Sequence, residues 1–471
     1  MPLVSSARRD IVMSLSNSLV QQDLSSHIHP FTNLARHKEV GPTVIEKGDG
    51  VYVIDNNGRS YIEAMSGLWS VALGFSEDRL VKAATQQMET LPYYHSFTHK
   101  THAPAIKLAA KLAELAPGDL NHVHFTNSGS EANDTVIKLV WYMNNALGRP
   151  QKKKFLARQQ GYHGSTIASA SLTGLPRSHR DFDLPAIPVR HLTAPYFYRF
   201  GLSGETEAEF VERLAQELET VIDEEGPETI AAFIGEPVIA AGGVIPAPEG
   251  YWQRVEAICR QHDIVLIADE IITAFGRLGT MFGCQYYGFQ PDIMVLSKQL
   301  TSSYQPLAAI VISDAISEVL TENSGRIGSF AHGFTTTGHP VATAVALENL
   351  NIIEERQLVD HAKVVGARLQ AGLNGLASHP LVGDVRTVGL MGGVELVADK
   401  ETRRMFDPRG ALGGYIFRQA HEHGLIVRNI YDTIAFCPPL IISEKHVSTV
   451  IDAFAGTLDD AAKWVRAEDL K

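Results

Sequence analysis

Cysteine is scarce in this chain, and positive charge is not in excess. Cys259, Cys284 and Cys437 are the three cysteines among 471 residues, without a CxxC pair, so neither a disulfide framework nor a zinc site is expected. Lysine and arginine number 41 against 53 aspartates and glutamates, a net charge of −12, which speaks against nucleic-acid binding. No apolar run reaches the roughly 18 residues of a membrane span. We therefore predict a cytoplasmic protein that binds no metal, nucleic acid or membrane.

Two nucleotide-binding fingerprints are also missing. The chain has no GxGxxG after a predicted strand and no GxxxxGK[ST], so a nicotinamide dehydrogenase and a P-loop enzyme both lack their sequence signal. The remaining composition is that of an ordinary globular protein, with 45% hydrophobic and 20% charged residues. At about 150 residues per domain, the length predicts two or three domains.

Apolar runs alternate with helical stretches between residues 120 and 320. Several of these runs have no internal polar residue, as is typical of strands buried on both faces of a sheet. We predict an α/β large domain over residues 71–340, with a mostly parallel sheet covered by helices. The predicted strands lie at 122–125, 154–157, 232–235, 264–268, 293–296 and 309–312.

The two ends of the chain predict a second, smaller domain. Residues 43–63 alternate and turn twice, which indicates a small antiparallel unit, and long amphipathic helices follow residue 340. We predict an N-terminal arm and part of a small α+β domain over 1–70, and the rest of that domain over 341–471. Arg8 and Arg9 among serines faintly resemble a transit peptide, but Asp10 does not fit one, so residues 1–25 are interpreted as a mobile or partner-contacting arm.

Chemically active side chains follow three predicted strands, at the sheet edge where α/β proteins bind ligands. Ser128, Gly129 and Ser130 lie between a strand and a helix start, where backbone N–H groups and the helix dipole favour a phosphate. A plain capping turn is the alternative.

Asp269 and Lys298 follow the next two such strands. A buried carboxylate must be solvated, paired or bound to a ligand, and a desolvated lysine has a lowered pKa that frees its amine for imine formation. A helix cap and a snorkelling surface lysine are the alternatives. Together with the phosphate turn, the two residues match the needs of pyridoxal phosphate, a Schiff-base lysine and an acid that keeps the pyridine nitrogen protonated.

Six ordered motifs extend this pattern over about residues 30 to 460. They are NSGSEAND at 127–134, GYHGST at 161–166, GEPV at 235–238, ADE at 268–270, SKQL at 297–300, and HGFT at 332–335 leading to GHP at 338–340. With them the sequence resembles the class III aminotransferases, pyridoxal-phosphate enzymes of fold type I. Within that family it resembles the (S)-selective amine:pyruvate, or ω-, transaminases.

The resemblance implies a homodimer with shared active sites and a role for each cofactor residue. Lys298 would hold the cofactor as a Schiff base and move the proton between substrate and cofactor, and Asp269 would pair with the pyridine nitrogen. The other residues that would bind the cofactor are Ser128, Gly129 and Ser130 at the phosphate, Tyr162 stacked on the ring with His163 beside it, Glu236 lining the site, and Thr335 from the partner subunit.

The resemblance also implies a substrate pocket with an apolar wall and one mobile arginine. Arg428 would pair with the carboxylate of pyruvate. The apolar lining would comprise Trp69, Phe97, Tyr162, Ala241 and the partner's Phe334. Core packing is the alternative for Trp69 and Phe97, and a surface ion pair is the alternative for Arg428. Thr336 and Thr337 stand where many relatives have Tyr-Ser, which could alter the pocket mouth.

The predicted function is therefore transfer of an amino group from a primary amine or ω-amino compound to pyruvate. The products would be alanine and an aldehyde or ketone, formed in two half-reactions. The alternatives are an aminomutase or decarboxylase on the same scaffold, a transaminase that uses 2-oxoglutarate, and a silent binding protein. Retention of both Lys298 and Asp269 speaks against the last alternative.

Overall fold

The structure is a computed structural model that describes residues 18–470. Residues 1–17, which hold most of the predicted N-terminal arm, lie outside this range. The strands are β1 Ile45–Asp49, β2 Tyr52–Asp55, β3 Ser60–Glu63, β4 Leu120–Thr126, β5 Lys154–Arg158, β6 Val189–Leu192, β7 Ile230–Gly235, β8 Val238–Ile239, β9 Ile245–Pro246, β10 Val265–Asp269, β11 Ile293–Leu296, β12 Ala308–Ser313, β13 Val382–Val388, β14 Met391–Leu396, β15 Leu425–Ile426, β16 Arg428–Ile430 and β17 Thr433–Phe436.

The helices connect and cover these strands. They are α1 Leu19–Ser26, α2 Leu34–Val40, α3 Ser66–Trp69, α4 Asp78–Thr90, α5 Ala103–Leu115, α6 Gly129–Ala146, α7 Ile167–Leu172, α8 Phe197–Phe200, α9 Glu207–Glu225, α10 Tyr251–Gln261, α11 Gly283–Tyr287, α12 Asp314–Ile327, α13 Pro340–Glu355, α14 Leu358–Gly375, α15 Ala411–Glu422 and α16 Glu444–Ala467. Within residues 18–470, no helix has both the length and the apolar character that crossing a bilayer demands.

The central sheet has seven strands in the order β4-β12-β11-β10-β7-β5-β6. β12 runs antiparallel to β11 and β4, and the other neighbours are parallel, which confirms the predicted mostly parallel α/β sheet. β7, β10, β11 and β12 are buried along their whole length, as their unbroken apolar sequences predict. Edge strand β6 was missed because it is short and carries Arg190 and His191 between its apolar ends.

Helix α9 shows why the covering helices form where they do. Thr206 caps its first turn in a capping box with Glu209, and Gly226 follows its last turn with a positive φ of 83°. Its inward face buries Phe210, Leu214 and neighbouring apolar residues against the sheet. Each fully buried side chain of this size contributes roughly 1.5–3 kcal/mol to stability.

Both ends of the chain meet beside the large sheet. β15 adds in parallel to β3 in a sheet with β1 and β2, and the Cys437 amide donates to the Ala64 carbonyl over 2.7 Å. A separate sheet joins β13, β14, β17 and β16. Segments from both ends of the chain therefore pair with each other, and the division into a large and a small domain, with boundaries at residues 70 and 340, stays a prediction.

Candidate active site

A cavity of about 180 Å³ lies at the carboxyl ends of β4, β7, β10 and β11. Parallel strands end at one edge of a sheet, so turns that are far apart in sequence meet there. The cavity is lined by Leu68, Ser128, Gly129, Ser130, Tyr162, His163, Gly164, Glu236, Val238, Asp269, Ile271, Ile272, Thr273, Ser297 and Lys298. Eight cofactor residues predicted from separate motifs thus surround one space. Leu68, Val238, Ile271 and Ile272 were not predicted.

The turn before α6 forms one end of the cavity. Ser128 is the N-cap, and its hydroxyl accepts from the Glu131 amide over 3.2 Å. The Ser130 hydroxyl accepts from the Ser165 amide over 3.0 Å, which leaves its proton free to donate. A Cβ at Gly129 would lie 2.6 Å from Cδ1 of Ile271, so a larger residue would have to displace the end of that side chain, which lines the cavity. The N-terminus of an 18-residue helix therefore faces the cavity, an arrangement that favours an anion such as a phosphate.

Asp269 lies deep in the cavity wall with a side chain that is held by three donors. Its Oδ2 accepts from His163 Nδ1 over 2.8 Å and from Asn133 Nδ2 over 3.0 Å, and its Oδ1 accepts from the Ile271 amide over 3.3 Å. Asn133 also donates to the His163 carbonyl over 2.6 Å. These bonds fix the carboxylate in one orientation. Asn133 belongs to the motif at 127–134, but nothing in the sequence assigned it this role.

Lys298 stands two residues beyond the end of β11, in a left-handed backbone conformation with a φ of 45°. That conformation is strained for a residue with a side chain, and such strain is often found at functional sites. Burial lowers the pKa of the Lys298 amine from 10.5 to about 8, against the opposing attraction of Asp269 and Glu236. Across residues 18–470, its ammonium makes no hydrogen bond. A substantial neutral fraction near pH 8 makes it a competent nucleophile and base.

Glu236 is buried and links two segments of the cavity. Its Oε1 accepts from the Tyr162 amide over 2.9 Å, and its Oε2 accepts from the Ala240 amide over 3.1 Å. Burial raises the pKa of this carboxyl above its usual value. The side chain therefore holds the Tyr162 turn and the turn that carries Ala241 in a common frame.

Of the predicted apolar substrate residues, Tyr162 lines this cavity, whereas Trp69, Phe97, Ala241 and Phe334 are not among its lining residues. Trp69 is 2% exposed and packs in a buried cluster with Met65, Val238 and others, while its neighbour Leu68 faces the cavity. Phe97 is 44% exposed and packs against Gly333, where a Cβ would lie 3.1 Å from its Cζ. Phe97 thus lies beside Phe334, so both would serve the same site. Their substrate roles stay predictions.

Thr335 also lies away from the cavity of its own chain. It is exposed, and its carbonyl accepts from the Tyr93 hydroxyl over 2.6 Å. Thr336 donates to Asn127 Oδ1 over 2.8 Å, whereas Thr337 is buried and accepts from the Phe334 amide over 2.8 Å. The two threonines that depart from the usual pattern therefore brace the segment that carries Thr335.

Arg428 and Ala241 are not among the residues that line the first cavity. Arg428 begins β16, and burial together with the positive charge of Arg177 lowers the pKa of its guanidinium. Ala241 precedes Gly242, which lines a second cavity of about 670 Å³. Arg177 and Arg409 also line that cavity. Their guanidinium carbons lie 5.6 Å and 4.2 Å from the ring centre of Tyr431.

The residues of the first cavity fit pyridoxal phosphate in chemical kind and in placement. A helix N-terminus can take the phosphate, an oriented buried carboxylate can face a protonated ring nitrogen, and an amine without a hydrogen-bond partner can meet the aldehyde. Tyr162 offers a ring for stacking, and Phe31 lies edge-on to it with ring centres 6.3 Å apart. No other group is needed to account for this combination.

Comparisons with known proteins also point to an aminotransferase that uses pyridoxal phosphate. The family described as aminotransferase class III matches residues 34–458. Gamma-aminobutyrate transaminase 1, mitochondrial, of Oryza sativa subsp. indica is 49% identical, covering 94% of this chain and 86% of its own. The omega transaminase of Pseudomonas jessenii in complex with PMP is 56% identical, covers 95% and 99% of the two chains, and has a TM-score of 0.94. A thermostable (S)-enantioselective omega-transaminase from Thermomicrobium roseum is 44% identical, covers 98% and 100%, and has a TM-score of 0.91.

Proposed function

This chain belongs to the class III aminotransferases and uses pyridoxal phosphate, and we propose that it transfers amino groups from primary amines or ω-amino compounds to pyruvate. The observation that carries the proposal is an arginine, Arg428, whose charge acts on Tyr162 and Lys298, two residues of a cavity that Leu68, Val238 and Ile271 also line. An apolar wall accepts an uncharged amine side chain, and one guanidinium pairs with the carboxylate of a small keto acid. The structural relatives named as omega transaminases support the same assignment.

Each residue of the cavity has a separate role in the proposed reaction. When bound, pyridoxal phosphate supplies an electron sink that stabilises negative charge at the substrate carbon. Gly129 and Ser130 would hold its phosphate, and Asp269, oriented by His163 and Asn133, would hold the proton on its ring nitrogen. The Lys298 amine would remove the proton from the substrate Cα and deliver it to the cofactor carbon on the other side of the amino nitrogen.

A second acceptor is supported by a specific feature. Arg177 and Arg409 flank Tyr431 in the larger cavity and could pair with the distal carboxylate of a dicarboxylic keto acid such as 2-oxoglutarate. The rice and tomato relatives are named as gamma-aminobutyrate transaminases, which supports an ω-amino acid as donor. Pyruvate remains the preferred acceptor in the proposal because it needs only Arg428.

The proposal includes a homodimer with shared sites. Phe97, Phe334 and Thr335 lie together and outside the cavity of their own chain, as expected if they complete the partner's site. A sedimentation experiment should give a mass near twice the 51.5 kDa of one chain.

A cytoplasmic location also belongs to the proposal and is supported by three free, buried cysteines, although several relatives are named as mitochondrial or chloroplastic. Cell fractionation tests the location.

An absorbance experiment on the purified holoenzyme tests the function. (S)-1-Phenylethylamine alone, without a keto acid, is expected to convert the visible absorbance of the bound cofactor, and pyruvate is expected to restore it. Restoration by 2-oxoglutarate but not by pyruvate would favour the second acceptor. A cofactor spectrum that no added amine changes would contradict amine transfer. The aminomutase and decarboxylase alternatives would then be favoured.

Arg428→Ala is expected to raise KM for pyruvate by about 10- to 100-fold, because a charge-assisted bidentate pair contributes roughly 1.5–3 kcal/mol. The half-reaction with (S)-1-phenylethylamine should change less than about threefold, since this donor has no carboxylate. Separate half-reaction kinetics measure both effects. Arg409→Ala is the matched control and should leave pyruvate unaffected. Equal losses for amine and pyruvate would assign Arg428 a structural role only.

A further inference from the structure

A cluster of potential metal ligands lies in the N-terminal segment, outside the active site. Asp23 Oδ1 lies 3.0 Å from His27 Nδ1 and 2.8 Å from His29 Nε2, and Asp23 Oδ2 lies 2.9 Å from His37 Nε2. We call these four residues the N-terminal His/Asp cluster. The spacing D-x₃-H-x-H-x₇-H brings them together because α1 carries Asp23, α2 carries His37, and the chain reverses between the helices.

Three of the four residues, Asp23, His27 and His29, present ligand atoms close to one another, and His37 contacts the other carboxylate oxygen of Asp23. The ligand atoms of Asp23, His27 and His29 all lie within 4.8 Å of one another. The ring centre of His29 lies 4.3 Å from that of His27 and 4.1 Å from that of His37. In a tetrahedral zinc site with bonds of about 2.0–2.1 Å, neighbouring ligand atoms are about 3.4 Å apart. The distances of 3.0 Å and 2.8 Å that join Asp23 Oδ1 to His27 and His29 therefore need an outward shift of about half an ångström.

The donor set specifies the class of ion. Imidazole nitrogens together with one carboxylate oxygen suit zinc and neighbouring divalent transition ions, whereas calcium and magnesium prefer sets made of oxygen. Asp23, His27 and His29 supply three ligands of a tetrahedral shell, and His37 would supply the fourth once its ring turns from Asp23 Oδ2 toward the ion. His27 is 60% exposed on its side chain, so an ion can enter from solvent.

We propose that the N-terminal His/Asp cluster binds a divalent transition ion such as Zn²⁺ and thereby pins the N-terminal segment beside the active site. His29 is two residues before Phe31, whose ring lies edge-on to Tyr162. Ion binding would cross-link α1 to α2 and fix the loop that carries Phe31. The prediction of no metal rests on the cysteines, whose spacing has no bearing on a site made of histidine and aspartate.

Metal binding to untagged holoenzyme, stripped with chelator and dialysed, tests the proposal. One equivalent of Zn²⁺ per chain is expected by titration calorimetry, and Co²⁺ should give the intense visible bands of a tetrahedral site. His37→Gln should weaken binding by about 10- to 100-fold, as loss of one ligand requires. His122→Gln is the matched control, because His122 pairs with Asp314 at 3.0 Å on the surface and should leave binding unchanged.

A second readout separates metal binding from simple packing. In the wild type, Zn²⁺ should slow proteolysis within residues 18–40, and in His37→Gln it should not. Sub-stoichiometric binding, an octahedral Co²⁺ spectrum, or equal affinity in His37→Gln would each overturn the proposal and leave a cluster held by hydrogen bonds alone. These readouts do not depend on transaminase activity, so they stand or fall separately from the proposed function.

Discussion

Lys298→Ala is expected to reduce amino transfer by more than about 10⁴-fold, because it removes both the nucleophilic amine and the base that moves the substrate proton. The amine is suited to both tasks because burial lowers its pKa to about 8. Single-turnover kinetics with (S)-1-phenylethylamine, normalised to bound cofactor, measure the loss.

Two comparisons make the Lys298 result specific. The variant should still bind pyridoxal phosphate non-covalently, since Gly129, Ser130 and Asp269 are untouched. Lys152→Ala removes another buried lysine, whose pKa is also lowered by burial but which lies outside the cavity, and it should retain near wild-type turnover per bound cofactor. Turnover close to wild type in Lys298→Ala would refute its catalytic role.

Asp269→Asn is expected to lower kcat by about 10²–10⁴-fold, the range associated with loss of a positioned proton-transfer partner. Asparagine keeps the shape of the side chain but has no negative charge to hold a proton on the ring nitrogen of the cofactor. It also replaces an acceptor oxygen by an N–H donor in a pocket where His163 and Asn133 both approach as close partners. Steady-state kinetics at saturating cofactor measure the effect.

Glu270→Gln is the matched control for Asp269→Asn. Glu270 is the adjacent buried carboxylate, but its oxygens accept from Thr273 and from the amides of Gly283 and Cys284. This variant should lower the free energy of unfolding while the folded fraction retains most of its turnover. Similar losses of kcat in both variants would mean that Asp269 acts through local packing and not through its charge.

The identity of the cofactor site could be predicted from the sequence because its residues lie immediately after apolar strands. A strand of buried β-branched and other apolar residues is a local pattern, and its carboxyl end is the expected ligand edge of an α/β sheet. The sequence therefore predicts that Ser128, Asp269 and Lys298 lie at one edge of the sheet. The cavity confirms that they meet.

The substrate-binding residues are harder to predict from the sequence because they lie in separate parts of the fold. Trp69 has a motif that matches the family, yet its side chain is packed in the core while Leu68 faces the cavity. Positive φ angles at Ser66, Gly67 and Trp69 turn the Trp69 side chain into the core and Leu68 toward the cavity. The hydrophobic period of a regular helix or strand does not predict such angles.

The fold class and the family could be predicted from the chain alone, since strand hydrophobicity and motif spacing are local properties, and the roles of the individual cofactor residues stay predictions. Only the tertiary structure showed that Asn133 holds Asp269 across 136 positions of the chain, that β15 closes onto β3, and that three histidines surround Asp23. The physical reason is common to all three. Each depends on how separate segments pack, and a contact between distant residues leaves no periodic signal in either segment alone.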